Sequence, residues 1–253
     1  MMPAHFSSIF TAFAALVLAG CAGSAPELVA PQVLTSPYQG LAREPIWAVV
    51  PLRNESGTTS VDVLQVSDKL VAAAAEIRGI RCLPLNRSIE TMRALKLGAI
   101  SGPAQARALA AALGSDGILV GTITAYDPYT PTIGISLVLY GRDTERAASF
   151  DPSSLSTATT DRTAPRRSDG VLASASEHLD GKNHQVLMDV RGFAQGRTRD
   201  GDSLGWRRYT ASMHLFEEFA TNFLVSRIVQ GVWMHAGLAT ASNTEQTANK
   251  DAR

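Results

Sequence analysis

Cysteine is nearly missing from this chain. Two residues in 253, Cys21 and Cys82, leave no room for a disulfide framework, and a chain of this length buries enough apolar surface to fold without one. An excess of either charge sign is missing too. Lys plus Arg and Asp plus Glu number 23 each, for a formal net charge of zero. Nucleic-acid binders carry a basic excess or stripe, so that class of partner is excluded. The paired arginines Arg166-Arg167 and Arg207-Arg208 read as solvated loop or helix-end charges. No apolar run reaches the length of a membrane-spanning helix. There is no glycine-rich loop closed by lysine for phosphate, and no dinucleotide fingerprint. The five histidines, His5, His178, His184, His214 and His235, are not spaced as metal ligands. Neither a metal nor a diffusible cofactor is expected.

What is present is an export signal. Residues 9–18 form an apolar stretch of about ten residues, a signal-peptide core too short to cross a bilayer. It runs into Leu18-Ala19-Gly20-Cys21, a quartet that resembles the bacterial lipobox. The resemblance implies cleavage before Cys21 and covalent lipid on its thiol, the only non-protein group expected. Several acyl chains on one residue hold a protein stably at a membrane where a single chain does not. The Lys or Arg usual before the apolar core is absent, with only His5 in its place. Under the sorting pattern of Gram-negative lipoproteins, Ala22 implies the periplasmic face of the outer membrane. Residues 21–44 are rich in Ala, Ser, Pro and Gly and read as a flexible tether.

Residues 45–238 read as one α/β domain. It has a mixed central sheet of about four to five strands packed by helices, plus a long C-terminal amphipathic helix. Ile46-Trp47-Ala48-Val49-Val50, stopped by Pro51, suits a buried strand. Val63, Val66, Leu70, Ala73 and Ile77 recur at helical steps, with Ser60 as cap and Gly79 as left-handed stop. A second strand covers 80–83, where Cys82 reads as a small core hydrophobe. Short helices follow at 88–96 and from Ser101 to Leu113, with Pro103 in the first turn and Gly114 at the end. Residues 117–125 and the alternating Ile133, Ile135, Leu137 and Leu139 form an antiparallel hairpin.

Residues 141–170 are polar and patternless and read as a disordered excursion. A strand over 171–177, a helix over 183–194 capped by Asp180 or a residue near it, and a helix over 206–233 complete the domain. On the last helix, Tyr209, Met213, Phe216, Ala220 and Phe223 mark the buried face, with Glu217, Glu218 and Thr221 opposite. Residues 239–253 read as a polar, frayed tail.

The pieces Ala48-Val49-Val50-Pro51, Asn54-Glu55-Ser56-Gly57, Ser67-Asp68-Lys69-Leu70, Arg78-Gly79 and Ile118-Leu119-Val120-Gly121-Thr122 resemble the domain shared by the curli-secretion lipoproteins and the lipoprotein activators of penicillin-binding proteins. The N-terminal module of the Tol-system propeller protein is a more distant relative. The likeness covers less than half the chain. It implies an α/β sandwich used for protein contacts in the envelope rather than catalysis. No propeller repeats follow, and 141–170 lacks the alternating apolar strands of a membrane barrel.

One catalytic motif is spelled out. Gly201-Asp202-Ser203-Leu204 matches the signature of the GDSL esterases, whose serine follows an early buried strand. Here it falls late, in a polar loop with no strand before it, and the family's closing Asp-x-x-His pair is absent. Capping of the last helix by Asp202 or Ser203 explains the same letters. The expected function is therefore not enzymatic but that of a membrane-tethered envelope adaptor binding a protein partner, with Tyr126 and Tyr129 at the hairpin turn as exposed contacts. A subunit of an oligomeric curli-type export apparatus, which would self-associate, is the alternative. An envelope esterase using Ser203 ranks below both.

Overall fold

The structure, a computed structural model, describes residues 30–38, 43–142, 170–199 and 201–251, with 237–251 as backbone alone. The signal peptide 1–20, the lipobox residues Leu18, Ala19, Gly20 and Cys21, most of the tether, and the body of the polar excursion lie outside the described residues.

Six strands form one mixed sheet. They are β1 (Ile46–Val49), β2 (Arg53–Asn54), β3 (Arg81–Cys82), β4 (Gly117–Asp127), β5 (Thr132–Gly141) and β6 (Val171–Asp180). The order is β3-β1-β4-β5-β6, with β2 continuing the line of β1 along β4. β1 is parallel to β3 and β4, while β4, β5 and β6 form an antiparallel meander. β6 extends three residues beyond the strand that its sequence pattern announces.

The helices are α1 (Val63–Ala75), α2 (Leu85–Ala94), α3 (Pro103–Leu113), α4 (His184–Ala194), α5 (Arg208–Ala211) and α6 (Met213–Asp251). α1 starts on Asp62, whose carboxylate accepts the Gln65 amide at 3.0 Å, rather than on Ser60. Gly79 follows with φ of 82°, the left-handed conformation that costs glycine least. Gly102 precedes α3, Pro103 sits in its first turn and Gly114 closes it with φ of 66°. Of the residues expected to cap α4, Asp180 or one near it, the cap is Asn183, which accepts the Gln185 amide at 2.8 Å. The single helix expected over 206–233 is broken. A 3-10 turn at Gly205–Arg207 leads into α5, and Ser212 adopts extended backbone before α6 begins. α6 then runs past 233 to Asp251.

Helices cover both faces of the sheet. On one face Ala48, Val50 and Ile118 pack with Met92, Ile100, Ala106, Leu109 and Ala110 of the α2–α3 side. On the other, α1 and α6 cover the inward side chains of β1, β4, β5 and β6, including Trp47, Leu119, Ile135 and Leu137. Phe193 of α4 meets Tyr209 of α5 edge-on, ring centroids 5.2 Å apart, and so seats this lobe on Phe219 of α6.

Two expectations need correction. Glu217 and Thr221 do not face solvent: both are buried, Glu217 at 2% exposure. α6 buries a stripe wide enough to take in Phe216, Glu217, Ala220, Thr221, Leu224 and Ile228. The tether, too, is partly docked. Thr35 forms a parallel bridge to Arg78, the Ser36 amide donates to the Arg78 carbonyl at 3.0 Å, and Ser36 is buried. The stretch from Leu34 to Tyr38 is thus a strap on the domain rather than a free spacer.

Candidate functional site

At the end of the sheet where β4 turns into β5, three elements converge: the first turns of α1, the last residues of β4, and the start of α6. Ser67 ties α1 to the sheet, accepting the Leu52 amide at 3.0 Å and donating to the Val63 carbonyl at 2.6 Å. Two residues along α1, Lys69 enters an ionic network. The Lys69 ammonium donates to Glu217 Oε2, to the His214 carbonyl at 2.6 Å and to His214 Nδ1 at 2.9 Å. The other carboxylate oxygen of Glu217 accepts the Tyr126 hydroxyl at 2.8 Å. Burial raises the Tyr126 phenol above its ordinary value first, and the adjacent Glu217 carboxylate adds to it.

A buried carboxylate is tolerated only when paired and hydrogen-bonded. Both oxygens of Glu217 are engaged, and all three protons of Lys69 are spent on acceptors. The ammonium therefore has no lone pair to act as a base, and the carboxylate has no free oxygen aimed at solvent. This network braces α1, α6 and β4 against each other. It is a scaffold for the surface above it.

That surface is a shallow, open depression of about 530 Å³, between α1 and the start of α6. Asp62, Asp68, Lys69, His214 and the exposed Leu64 line it. Beside it stands the hairpin turn. The Asp127 carboxylate accepts the Tyr129 amide at 2.9 Å and the Thr130 amide at 3.3 Å. The turn is thereby braced while the Tyr129 side chain is 94% exposed.

The two tyrosines expected as contacts thus part company. Tyr129 is a free aromatic on a rigid turn. Tyr126 is half-buried and its hydroxyl belongs to the Glu217 network. Glu217 and Lys69 were not visible as a pair, although one signal existed. Glu217 and Thr221 share a helical face with Leu224 and Ile228, seven and eleven residues from Glu217, and that continuation marks the face as inward.

Elsewhere the motif residues have structural roles. Asp202 accepts the Leu204 amide at 3.1 Å and pairs with Arg208 at 3.2 Å, so its carboxylate shapes a turn at the start of the α5 region. Ser203 is exposed on that turn. Among the described residues no group of three or more His, Cys, Asp or Glu converges as for a metal ion. Trp47 is a core residue, and Trp206 is half-buried under the Arg207 guanidinium, 5.0 Å from its ring. Burial pushes the Cys82 thiol up to about 12, which leaves little thiolate at neutral pH.

A second charged cluster closes the opposite end of the sheet. Asp116, before β4, accepts the Ile46 amide at 2.9 Å and Arg43 Nη2 at 2.9 Å, with Arg142 at 3.5 Å. Burial by itself would raise the Asp116 carboxyl, but these hydrogen bonds and the two guanidinium charges hold it below its ordinary value.

No protein-family model and no curated protein sequence matches this chain. Several solved structures are similar at low identity. The C-terminal domain of LpoB from Salmonella enterica is 11% identical over 55% of this chain and 85% of its own, with a TM-score of 0.37. Lipoprotein GNA1162 from Neisseria meningitidis is 18% identical over 55% of this chain and 85% of its own, with a TM-score of 0.36. The PelC dodecamer from Paraburkholderia phytofirmans is 13% identical over 79% of this chain and 95% of its own, with a TM-score of 0.35.

Proposed function

We propose that this chain is a lipid-tethered envelope lipoprotein whose α/β domain binds a protein partner through the hairpin tip and the adjoining depression. The lipobox-like Leu18-Ala19-Gly20-Cys21 supports the anchor, with acylation at Cys21 and a place at the periplasmic face of the outer membrane. The observation that carries the binding reading is Tyr129. An aromatic side chain left 94% exposed on a turn that Asp127 holds rigid loses little conformational freedom on contact. Such residues dominate binding energy at protein interfaces. Leu64 and the Asp62, Asp68 and Lys69 charges supply an apolar spot with a polar rim, the usual anatomy of a transient interface.

The test is extraction of the lipidated full-length protein from membranes in mild detergent, followed by native mass and composition. A small particle containing a stoichiometric second protein is expected. Tyr129→Ala should weaken that complex by ten-fold or more (about 1.4 kcal/mol per decade) and leave the fold intact. Undiminished capture of the partner by Tyr129→Ala would move the interface away from the hairpin.

One observation favours the second reading, a self-associating subunit. Among the described residues β6 is a ten-residue edge strand whose exposed side chains are Ser174, Ser176 and His178, without the Lys or Pro that usually guards an edge. A large detergent particle made of this chain alone would establish that reading and displace the adaptor.

A further inference from the structure

The only tryptophan well exposed among the described residues lies far from the hairpin tip. Trp233 of α6 is 49% exposed, Met234 beside it 66%, and Val33 of the strap 48%. The Trp233 indole is not loose: its Nε1 donates to the Thr35 carbonyl at 2.8 Å. Thr35 is in turn bridged to Arg78, and the Arg78 amide donates to the Leu34 carbonyl at 2.9 Å. Helix, strap and the turn after α1 thus hold three apolar side chains at the root of the tether. Arg78 and Arg81, both exposed, flank the strap, with the exposed carboxylates Glu44 and Glu76 nearby, the latter paired with Arg197.

We infer that this patch is a bilayer-contact surface that seats the domain on lipid headgroups. The inference rests on the lipid anchor proposed above. Val33 lies twelve residue steps after Cys21. Fully extended they reach no more than about 43 Å, and as a flexible coil they average roughly 17–21 Å. The patch is where the chain enters the domain, so it is the surface such a tether keeps nearest the membrane. Its chemistry suits the headgroup layer. Tryptophan concentrates there, here with its ring half-exposed and its N–H held by Thr35, and arginines reach phosphates. The contact need not be strong, because tethering replaces bimolecular association with an effective concentration in the millimolar range.

The geometry gives the contact a purpose. The strap meets Arg78 just before β3, whose first residue pairs with Ile46, and Trp47 pairs with Gly117 at the start of β4. Tyr129 follows the other end of β4, about 33 Å further along the strand at 3.3 Å per residue. A domain resting on its strap end would present Tyr129 away from the membrane.

The experiment uses the full-length lipidated chain in phosphatidylethanolamine–phosphatidylglycerol vesicles, with and without brominated acyl chains. Bromine quenches indole only on close approach. Vesicle flotation and the acyl mass on Cys21 are read on the same sample. Expected is quenching of tryptophan emission by the brominated lipid. Most of it should be lost in Trp233→Phe, since Trp47 is buried and Trp206 is half-buried under Arg207, and at least half in Met234→Asp, whose side chain is 66% exposed. A chain that floats and carries lipid on Cys21, yet is unquenched or equally quenched in both variants, overturns the contact alone. An unacylated chain that fails to float overturns the anchor and the contact with it. Mutual burial of Trp233 between two copies, seen as a blue shift that grows with protein-to-lipid ratio and not with bromination, assigns the patch to self-association instead.

Discussion

At the scale of single residues, the decisive feature is a carboxylate where hydrophobic patterning would place none. Glu217 is satisfied by Lys69 and Tyr126, so its cost appears only when a partner is removed. Lys69→Ala should destabilise the fold by about 3–5 kcal/mol, because it leaves an uncompensated buried charge. Lys69→Met combined with Glu217→Leu should recover most of that loss, as apolar replacements of a buried pair often do. Urea midpoints compare the three chains; a double variant no better than the single one would mean that the network is not acting as a charge pair. Asp116 behaves differently, since its carboxyl is held below the ordinary value by Arg43, the Ile46 amide and Arg142. A depressed carboxyl adds stability that is complete above its unfolded value, near 3.8, and is lost as pH falls through the folded value. The gap in thermal midpoint between the wild type and Asp116→Asn should therefore be constant from pH 7 to 5 and close below about pH 4. A gap that persisted undiminished at pH 2–3 would exclude this ionic account.

At the scale of elements, α6 sets the geometry of one face. It lies against β6 so closely that a Cβ on Gly231 would sit 2.9 Å from the Ala173 side chain. Alanine is the better helix former by roughly 0.5–1 kcal/mol, yet overpacking a tight contact costs about 1–3 kcal/mol. Gly231→Ala should thus lower stability, and Ala173→Gly in the same chain should restore part of it. Calorimetric midpoints of the two single variants and the double would show it; simple additivity would mean that the two residues do not touch. Helix limits show where local signals suffice. Pro103 and Gly114 frame α3, and Gly79 follows α1, because each states a backbone requirement of its own. The break at Ser212 has no such local marker, and it arises where α5 turns to pack Tyr209 against Phe193.

At the scale of the whole molecule, the two ends of the sheet differ in kind. One end carries the braced hairpin and the depression over the Lys69–Glu217 network. The other carries the strap, the Asp116 clasp and the Trp233 patch. A domain held by lipid at one end and reaching a partner with the other is the arrangement that the proposed adaptor requires. The sequence by itself determined the α/β class, the hairpin and most helix limits, because these depend on period, caps and turns that act over a few residues. Tertiary structure alone decided that Glu217 faces inward, that Tyr126 is a bracing residue while Tyr129 is free, and that residues 34–38 are a strap. Each of these depends on contacts between segments from 43 to 198 residues apart. No local pattern encodes which polar side chain will find its partner across such a distance.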